Sequence, residues 1–335
     1  MKKVLVIGAT GAMGSYLVPE LLSLGYKVDA VSLDHPDAYN GYLHYIRTND
    51  AKDFTFVEKI VENGYDAIVD FMIYPTADEV RKYCLYYRAH CEQYIYLSTY
   101  RIYADSPVIT ENSPRLLDVT DDKRLLTCGD YCIYKAEGED VMRASADGGE
   151  YTILRPAVTY SKRRFQLVTL EAETLIPRIR AGKTVLLPED AMNVQATMSH
   201  GRDVARMIAR LVLNPYAYGE TYTVATAEHH AWGEIAEMYK RIAGLKYETV
   251  PTDTYCELLG GSVWAYNQVH YDRLFNRVID NNKILTVTGM KQSSLMPLEN
   301  GLSFEYSALP KDAFADVTTD ISRAMDAYLA ERNKI

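Results

Sequence analysis

A tyrosine and a lysine one helical turn apart are the pair in this chain best suited to proton transfer. Tyr131 and Lys135 are four residues apart, and on a helix such residues share a face. A phenol has a pKa of about 10 and is a poor base at neutral pH, but a nearby ammonium favours the phenolate. The pair could then exchange a proton with a carbinol while a nicotinamide cofactor exchanges hydride. Tyr134 is a weaker candidate, because the residue four positions further on is Gly138.

A glycine-rich turn provides a second chemical site. Gly8, Gly11 and Gly14 lie between a β-rich apolar run and a periodic apolar segment. Glycines leave backbone N–H groups open to a phosphate, and the start of a helix adds positive potential. Because this turn is the first strand–helix connection, it predicts a dinucleotide site. The predicted cofactor contacts in the turn are Gly8, Thr10, Gly11, Ala12, Met13 and Gly14.

The end of the second predicted strand should meet the adenosine ribose. The expected position is Ser32, with Asp34 two residues later, and no Arg or Lys follows before Arg47. An acid at this place favours NAD and a base favours NADP, so the pattern predicts NAD and leaves NADP open. Three further positions near strand ends are predicted cofactor contacts: Phe71, Met72 and Pro156.

Two hydroxyl residues, Ser98 and Thr99, stand at the end of the fifth predicted strand. The carboxyl ends of parallel strands face the ligand crevice, so a hydroxyl there can bind the same carbinol oxygen as Tyr131. Taken alone, such a hydroxyl is equally consistent with capping of the local backbone.

Strands and helices alternate over the first half of the chain, and this order must position the groups above. The predicted strands are Lys3–Ile7, Val28–Leu33, Leu43–Arg47, Ala67–Met72, Tyr94–Ser98 and Tyr151–Leu154, and the predicted helices are Ser15–Leu24 and Thr76–His90. Repeated strand–helix–strand units indicate a doubly wound parallel sheet with helices on both faces, an α/β fold. Beyond about residue 157 the regular alternation of strands and helices ends, and long loops are predicted at Tyr160–Phe165 and Leu187–Ser199.

The composition of the 335 residues fits a folded protein of about two domains. Thirty-six Lys and Arg against 45 Asp and Glu give a net charge of −9, which disfavours nucleic acid and anionic membranes as partners. No apolar run approaches the roughly 20 residues that span a bilayer, so we expect a cytoplasmic protein. The five cysteines have neither zinc nor redox spacing, and we predict no metal site.

In combination, these motifs resemble the extended short-chain dehydrogenase/reductase superfamily, in its NAD-dependent epimerase/dehydratase branch. The order is the glycine turn, the hydroxyl after strand five, the Tyr131–Lys135 pair and Leu154-Arg155-Pro156. Three further segments resemble family elements, namely the Asp-x-x-Asp that contacts adenine, a His-x-x-Asp-Val-Ala and a late Asp-x-Ser-Lys. They are Asn49–Asp53, His200–Ala205 and Asp280–Lys283.

The resemblance implies a Rossmann domain over residues 1–157, with a returning segment near 195–226. The smaller C-terminal substrate domain would then comprise residues 158–194 and 227–335. It also implies a sugar-derived small-molecule substrate and a homodimer.

The resemblance makes Thr99, Tyr131 and Lys135 the catalytic set, with Ser98 as the alternative hydroxyl. It assigns Asp50 to the adenine and gives Lys135 a second role at the nicotinamide ribose.

The chain departs from the family pattern at two places. The 4,6-dehydratases carry Asp-Glu directly after the hydroxyl residue, and related decarboxylases carry Glu at the second position, where this chain has Tyr100 and Arg101. Arg does not exchange protons near neutral pH, so both chemistries are disfavoured, and Arg101 could instead pair with an anionic substrate group.

The second departure concerns the Arg-Asp pair that helps family members to hold a nucleotide diphosphate, because the corresponding residues here are Ala196-Thr197. The basic residues that could compensate are Arg163, Arg164 and Arg202.

We therefore expect an epimerase that acts on a sugar or sugar nucleotide by transient hydride transfer to NAD. A NAD(P)H-dependent ketone or aldehyde reductase would use the same three residues. A non-catalytic dinucleotide-binding regulatory protein is the third alternative, and the intact catalytic set argues against it.

Overall fold

The structure is a computed structural model and describes residues 1–332 and 334. Its strands are β1 (Lys3–Ile7), β2 (Lys27–Ser32), β3 (Ala38–Tyr39), β4 (Leu43–Arg47), β5 (Ala67–Asp70), β6 (Gln93–Leu97), β7 (Glu150–Leu154), β8 (Val158–Tyr160), β9 (Gln166–Leu167), β10 (Leu170–Glu171), β11 (Thr184–Pro188), β12 (Gln195–Ala196), β13 (Met198–His200), β14 (Glu220–Tyr222), β15 (His230–Ala231) and β16 (Lys246–Val250).

The α-helices are α1 (Gly14–Ser23), α2 (Phe54–Val61), α3 (Ala77–Glu79), α4 (Leu85–Ala89), α5 (Leu116–Val119), α6 (Lys123–Thr127), α7 (Tyr131–Ala144), α8 (Ala172–Arg180), α9 (Gly201–Leu211), α10 (Trp232–Ala243), α11 (Thr252–Leu258), α12 (Val263–Gln268), α13 (Asn282–Thr288), α14 (Leu298–Ala308) and α15 (Asp320–Arg332). Two π-helical turns, Val80–Cys84 and Val269–Arg273, continue α3 and α12.

An eight-stranded sheet forms the centre of the molecule, in the order β14-β7-β6-β5-β1-β2-β4-β3. All of its pairings are parallel except that of the short edge strand β3 with β4. The order reverses beside β1, and the carboxyl ends on the two sides of such a point form a ligand crevice. The predicted fold class is therefore confirmed.

Helices cover both faces of this sheet because successive residues of a buried parallel strand point to opposite sides. Val4 and Val6 of β1 belong to the core that includes α1 and α9, and Leu5 and Ile7 belong to the core on the α2 and α4 side. The continuous apolar run of β1 is thus explained by burial on both faces.

All six predicted strands are present in the sheet, with ends that move by at most two residues. The largest difference is at β5, which ends at Asp70, so that Phe71 and Met72 leave the sheet at its carboxyl edge. The predicted helix Thr76–His90 is present as α3, a π-helical turn and α4, and Thr76 caps it by accepting a hydrogen bond from Glu79 N at 3.1 Å.

The long loop predicted at Leu187–Ser199 is wrong in part. This segment completes β11, contains β12 and begins β13. The partners of β12 and β13 are β15 and β8, each more than thirty residues away in the chain. Pairing across such separations leaves no local periodicity in the sequence.

The rest of the chain packs around its own core beside the carboxyl edge of the sheet. This core includes Phe165, Trp232 and Tyr255 from three different segments. The chain also returns to the sheet, because β14 pairs with β7 and α9 packs against α1, and α13 in turn packs against α9. Among the described residues, no helix combines the length and apolar character needed to cross a membrane.

Candidate active site

A cleft of about 920 Å³ opens at the carboxyl ends of the parallel strands, between the sheet and the second core. Most of the residues singled out from the sequence line it. They are Gly8, Thr10, Gly11, Ala12, Met13, Gly14, Ser32, Asp34, Phe71, Met72, Ser98, Thr99, Tyr131 and Pro156. Asp50 and Lys135 do not line the cleft.

The glycine turn forms one end of the cleft, and two of its glycines are required by geometry. Gly8 has φ +82°, a left-handed conformation that disfavours other residues. A Cβ on Gly14 would lie 2.5 Å from the Gly8 carbonyl oxygen, so only glycine lets the start of α1 pack against the turn. Within α1 no side chain caps the start and no acidic residue occupies the first turn. Ser15 N and Tyr16 N donate to the Gly11 and Met13 carbonyls, whereas Ala12, Met13 and Gly14 line the cleft at the start of the helix, a position that suits an anion such as a pyrophosphate.

The end of β2 carries one acid and one base. Asp34 accepts a hydrogen bond from the Thr10 hydroxyl at 2.6 Å, which ties it to the glycine turn. Arg47 of β4 is paired with Ser32, and its Nε donates to the Leu33 carbonyl at 3.2 Å. The count along the sequence missed this base because it comes from the neighbouring strand.

The segment after β4 reaches the cleft through residues other than the predicted acid. Asn49, Ala51 and Lys52 line the cleft, whereas Asp50 is exposed outside it. The second acid of the motif, Asp53, caps α2 by accepting from Thr55 N at 2.7 Å. Contact between Asp50 and adenine therefore stays a prediction.

Helix α7 positions the Tyr–Lys pair. It begins at Tyr131, and Asp130 caps it by accepting from Cys132 N at 3.0 Å. Lys135 is fully buried, donates from Nζ to the Leu97 carbonyl at 2.6 Å and lies 5.9 Å from the centre of the Tyr131 ring. The ammonium is thus held under the strand end rather than in the cleft.

A glycine lets α7 approach β6 this closely. A Cβ on Gly138 would lie 2.2 Å from the Tyr96 hydroxyl oxygen. The Tyr96 ring lies in turn 5.2 Å from Lys135 Nζ. Gly138, which stands where a lysine partner of Tyr134 would be needed, therefore has a packing function.

The charges around the pair differ from the expectation. Burial lowers the pKa of Lys135 to about 8, against the opposing effects of Cys84 and Asp70. Burial also raises the pKa of Tyr131, and the Arg101 charge and the Thr99 hydroxyl act to lower it. Arg101 has its guanidinium carbon 5.3 Å from the centre of the Tyr131 ring. The cation that most favours the phenolate is therefore Arg101, whereas the sequence argument assigned this effect to Lys135.

The two candidate hydroxyls both line the cleft. Thr99 Oγ1 accepts from Arg101 N at 3.2 Å and also acts on Tyr131. Ser98 is fully buried, and its Oγ has no hydrogen-bond partner among residues 1–332 and 334. This arrangement favours Thr99 as the hydroxyl that works with Tyr131.

The opposite end of the cleft consists of residues that sequence reasoning did not identify as a group. They come from the β8–β10 region and from the end of α12, and they are Val158, Thr159, Arg164, Gln166, Glu171, Gln268 and Arg273. Of the three arginines considered as diphosphate ligands, Arg164 lines the cleft, whereas Arg163 lies over the Phe314 ring at 4.9 Å. No local motif marks this end, because it forms only when distant segments pack together.

Fold and cleft together define a dinucleotide-binding α/β protein with a Tyr–Lys pair beside the strand ends. The model of the family described as "NAD dependent epimerase/dehydratase family" matches residues 4–225. The chain belongs to this family, which confirms the resemblance found in the sequence. The family's cofactor, NAD, is the one that the sequence predicted.

Among individual proteins, a UDP-glucose 4-epimerase from Lactobacillus helveticus is 32% identical over 168 residues, which are 46% of this chain and 50% of that protein. The chain thus matches about half the length of this curated relative.

Solved structures resemble the chain over nearly its whole length. A UDP-glucuronic acid 4-epimerase from Bacillus cereus, in complex with UDP-glucuronic acid and NAD, has a TM-score of 0.68 at 17% identity, covering 94% of this chain and 100% of that chain. Epimerase Mth375 from Methanothermobacter thermautotrophicus has a TM-score of 0.70 at 13% identity, covering 92% and 91%. At these identities the likeness shows the fold.

Proposed function

We propose that this protein is an NAD-dependent epimerase that inverts a carbinol carbon of a sugar or sugar nucleotide by transient hydride transfer. The observation that carries the proposal is the convergence of Thr99, Tyr131 and the glycine turn in one cleft, with Lys135 held beneath Tyr131. The turn fits the cofactor, because its N–H groups and the start of α1 suit a pyrophosphate.

The glycine turn Gly8–Gly14 would hold NAD, which would supply the reversible hydride transfer that epimerisation of the carbinol carbon requires. Tyr131 takes the hydroxyl proton during oxidation and returns it during reduction, and the Thr99 hydroxyl hydrogen-bonds the same oxygen. Arg101 and Lys135 stabilise the phenolate form through their positive charge. Because burial opposes this by raising the pKa of Tyr131, the Arg101 charge that lowers this pKa matters for the function of Tyr131 as a base.

The residues after Thr99 support an epimerase over an eliminating enzyme. The Tyr100 hydroxyl accepts from Arg273 Nη1 at 3.0 Å and donates to Asp272 Oδ2 at 3.3 Å. Burial raises the pKa of Tyr100 to about 12. With Arg101 beside it, neither position offers the acid and base that loss of water or carbon dioxide requires.

The nucleotide part of the substrate is inferred from relatives, whose names include UDP-glucose and UDP-glucuronic acid. Of the three arginines that the sequence suggested for a diphosphate, Arg164 is the one that lines the cleft. We also expect a homodimer, and light scattering coupled to size-exclusion chromatography would test it.

The decisive experiment combines product analysis with Tyr131→Phe. Purified protein, loaded with NAD, is incubated with a panel of sugar nucleotides, and products are followed by chromatography and mass spectrometry. We expect a product of unchanged mass, and a loss of turnover of about 10²–10⁴-fold in Tyr131→Phe with NAD binding retained. Tyr134→Phe is the matched control, because this tyrosine lies on the same helix with its ring 5.4 Å from that of Tyr131.

Each alternative has its own result in this experiment. A product two mass units heavier, formed at the expense of NADH, would identify a reductase. Turnover of wild-type rate in Tyr131→Phe would remove Tyr131 from its proposed role. NAD binding without turnover of any substrate in the panel would favour the non-catalytic alternative.

A further inference from the structure

Arg101 lies in the cleft with its hydrogen-bonding capacity unused. Its side chain is 15% exposed and packs over the Tyr131 ring. Its Nε is buried without a hydrogen-bond partner among the described residues. The nearest carboxylate oxygens are Asp272 Oδ2 at 3.4 Å and Asp130 Oδ1 at 3.7 Å. Both contacts are ion pairs, but neither is a hydrogen bond, so the guanidinium fork is left without a two-point partner.

Asp272 is already neutralised by other arginines. Its side chain is fully buried and forms ion pairs with Arg273 and Arg277, the second at 3.2 Å. The Tyr100 hydroxyl adds a hydrogen bond at 3.3 Å. These three donors occupy the oxygens that Arg101 would need for a close pair.

Asp130 is engaged in a similar way. Its Oδ1 caps α7 by accepting from Cys132 N, and its Oδ2 accepts from Asn267 Nδ2 at 3.1 Å. The cluster therefore contains the three guanidinium groups of Arg101, Arg273 and Arg277 and the two carboxylates of Asp130 and Asp272. Arg101 is the one of these three guanidinium groups whose contacts with the carboxylates, at 3.4 and 3.7 Å, include no hydrogen bond, and it lies over the catalytic tyrosine.

A buried guanidinium with unused donors is costly unless a ligand pairs with it. Its planar fork matches a carboxylate in a two-point contact. We propose that Arg101 is a specificity-determining residue that binds a carboxylate carried by the sugar ring itself. The substrate class is then an acidic sugar, a hexuronate or its nucleotide derivative.

Position favours the sugar ring over the cofactor as the source of this anion. Arg101 follows Thr99 by two residues and packs over Tyr131, so it lies beside the carbon where hydride transfer is proposed. The pyrophosphate is expected at the glycine turn after β1, and β5 lies between β1 and β6 in the strand order. This inference rests on the proposed function only in that Tyr131 marks the reacting carbon.

The test uses two probes that differ at one group, UDP-glucuronic acid and UDP-glucose. Titration calorimetry on the NAD-loaded protein measures binding, and initial rates give kcat/KM for each probe. We expect wild type to bind the acid at least about tenfold more tightly, and Arg101→Gln to lose that preference because only binding of the acid weakens. Turnover of both probes should fall together in Arg101→Gln, since the charge that favours the Tyr131 phenolate is removed. Arg101→Lys should retain part of the preference, because it keeps the charge without the fork. Arg163→Gln, which removes an arginine at Phe314 outside the cleft, is the matched control.

The outcomes separate this inference from the proposed function. Wild type that binds both probes equally, prefers UDP-glucose or binds neither overturns the inference, as does a preference that survives in Arg101→Gln. Acid-selective binding that depends on Arg101, without any turnover, supports the inference and counts against the epimerase. Epimerisation of UDP-glucose but not of UDP-glucuronic acid would support the proposed epimerase and overturn the inference about Arg101. Thermal unfolding of each variant shows whether it is folded. If Arg101→Gln is unfolded, the preference of Arg101→Lys for the acid is compared with that of wild type instead.

Discussion

The two ends of the cleft are built in different ways. The cofactor end consists of one continuous turn, Gly8–Gly14, with the end of β2 beside it. The sugar end, where we propose that the sugar ring binds, brings together Arg101 from the region after β6, Arg164 from the loop after β8 and Arg273 from the end of the π-helical turn after α12. The first end works through backbone N–H groups and the second through charged side chains.

This difference separates two kinds of constraint. A backbone cradle tolerates almost no added atoms, because a Cβ meets other backbone that cannot move aside. A cluster of charged side chains depends instead on the balance between neighbours, so a substitution there changes which ligand is accepted. We therefore expect damage at the cofactor end to remove binding altogether, and damage at the sugar end to alter selectivity.

The largest expected effect is at Gly14. Gly14→Ala places a Cβ 2.5 Å from the Gly8 carbonyl oxygen, so the turn must shift. We expect NAD binding to be lost and the free energy of unfolding to decrease by roughly 1–3 kcal/mol. Gly11→Ala is the graded control, since its Cβ would be 3.3 Å from the same oxygen. Calorimetric titration with NAD and thermal unfolding measure both. Equal NAD affinity in Gly14→Ala and wild type would contradict the role of the glycine turn as a backbone cradle for NAD. Loss of NAD binding in Arg101→Gln would show that the two ends of the cleft do not act separately.

The next effect is at Lys135, which lies outside the cleft, 5.9 Å from the centre of the Tyr131 ring. Lys135→Met should lower turnover by about 10²-fold, since the phenolate loses a nearby positive charge. It should also change how stability depends on pH. Burial lowers the pKa of Lys135 from 10.5 to about 8 in the folded protein, so the unfolded chain binds the proton more tightly.

The sign of this pH effect follows from proton linkage. Stability rises with pH where the unfolded state binds more protons, so wild type should gain stability relative to Lys135→Met between about pH 8 and 10.5. Chemical denaturation of both proteins across this range is the measurement. A stability difference that does not change with pH would show that the ammonium is not desolvated as its burial indicates.

The smallest expected effect is at Asp34, and it concerns cofactor choice. A carboxylate near the ribose repels the 2′-phosphate of NADP, so wild type should bind NAD more tightly, and Asp34→Asn should reduce the preference about tenfold, or 1.4 kcal/mol. Arg47→Gln is the comparison, because this base lies beside the same strand end with its Nε on the Leu33 carbonyl. Wild type that binds NADP tenfold tighter would instead make this region a 2′-phosphate site.

The sequence by itself determined the sheet and the cofactor end. Strands buried on both faces are continuous apolar runs, and the glycine turn lies within seven residues, so both leave a local pattern. The spacing of Tyr131 and Lys135 likewise depends only on the helix they share. These features are predictable because the residues that make them are neighbours in the chain.

Only the tertiary structure decided the electrostatics and the sugar end. Arg47 reaches the end of β2 from a neighbouring strand, and Asp50 is turned away while Asn49 lines the cleft. Arg101 replaces Lys135 as the cation that most lowers the pKa of Tyr131, and its guanidinium lacks a hydrogen bond because Asp272, more than 170 residues away, is engaged by other donors. Coulomb interactions depend on distance in space and on burial, and neither can be read from spacing along the chain when the partners come from separate segments.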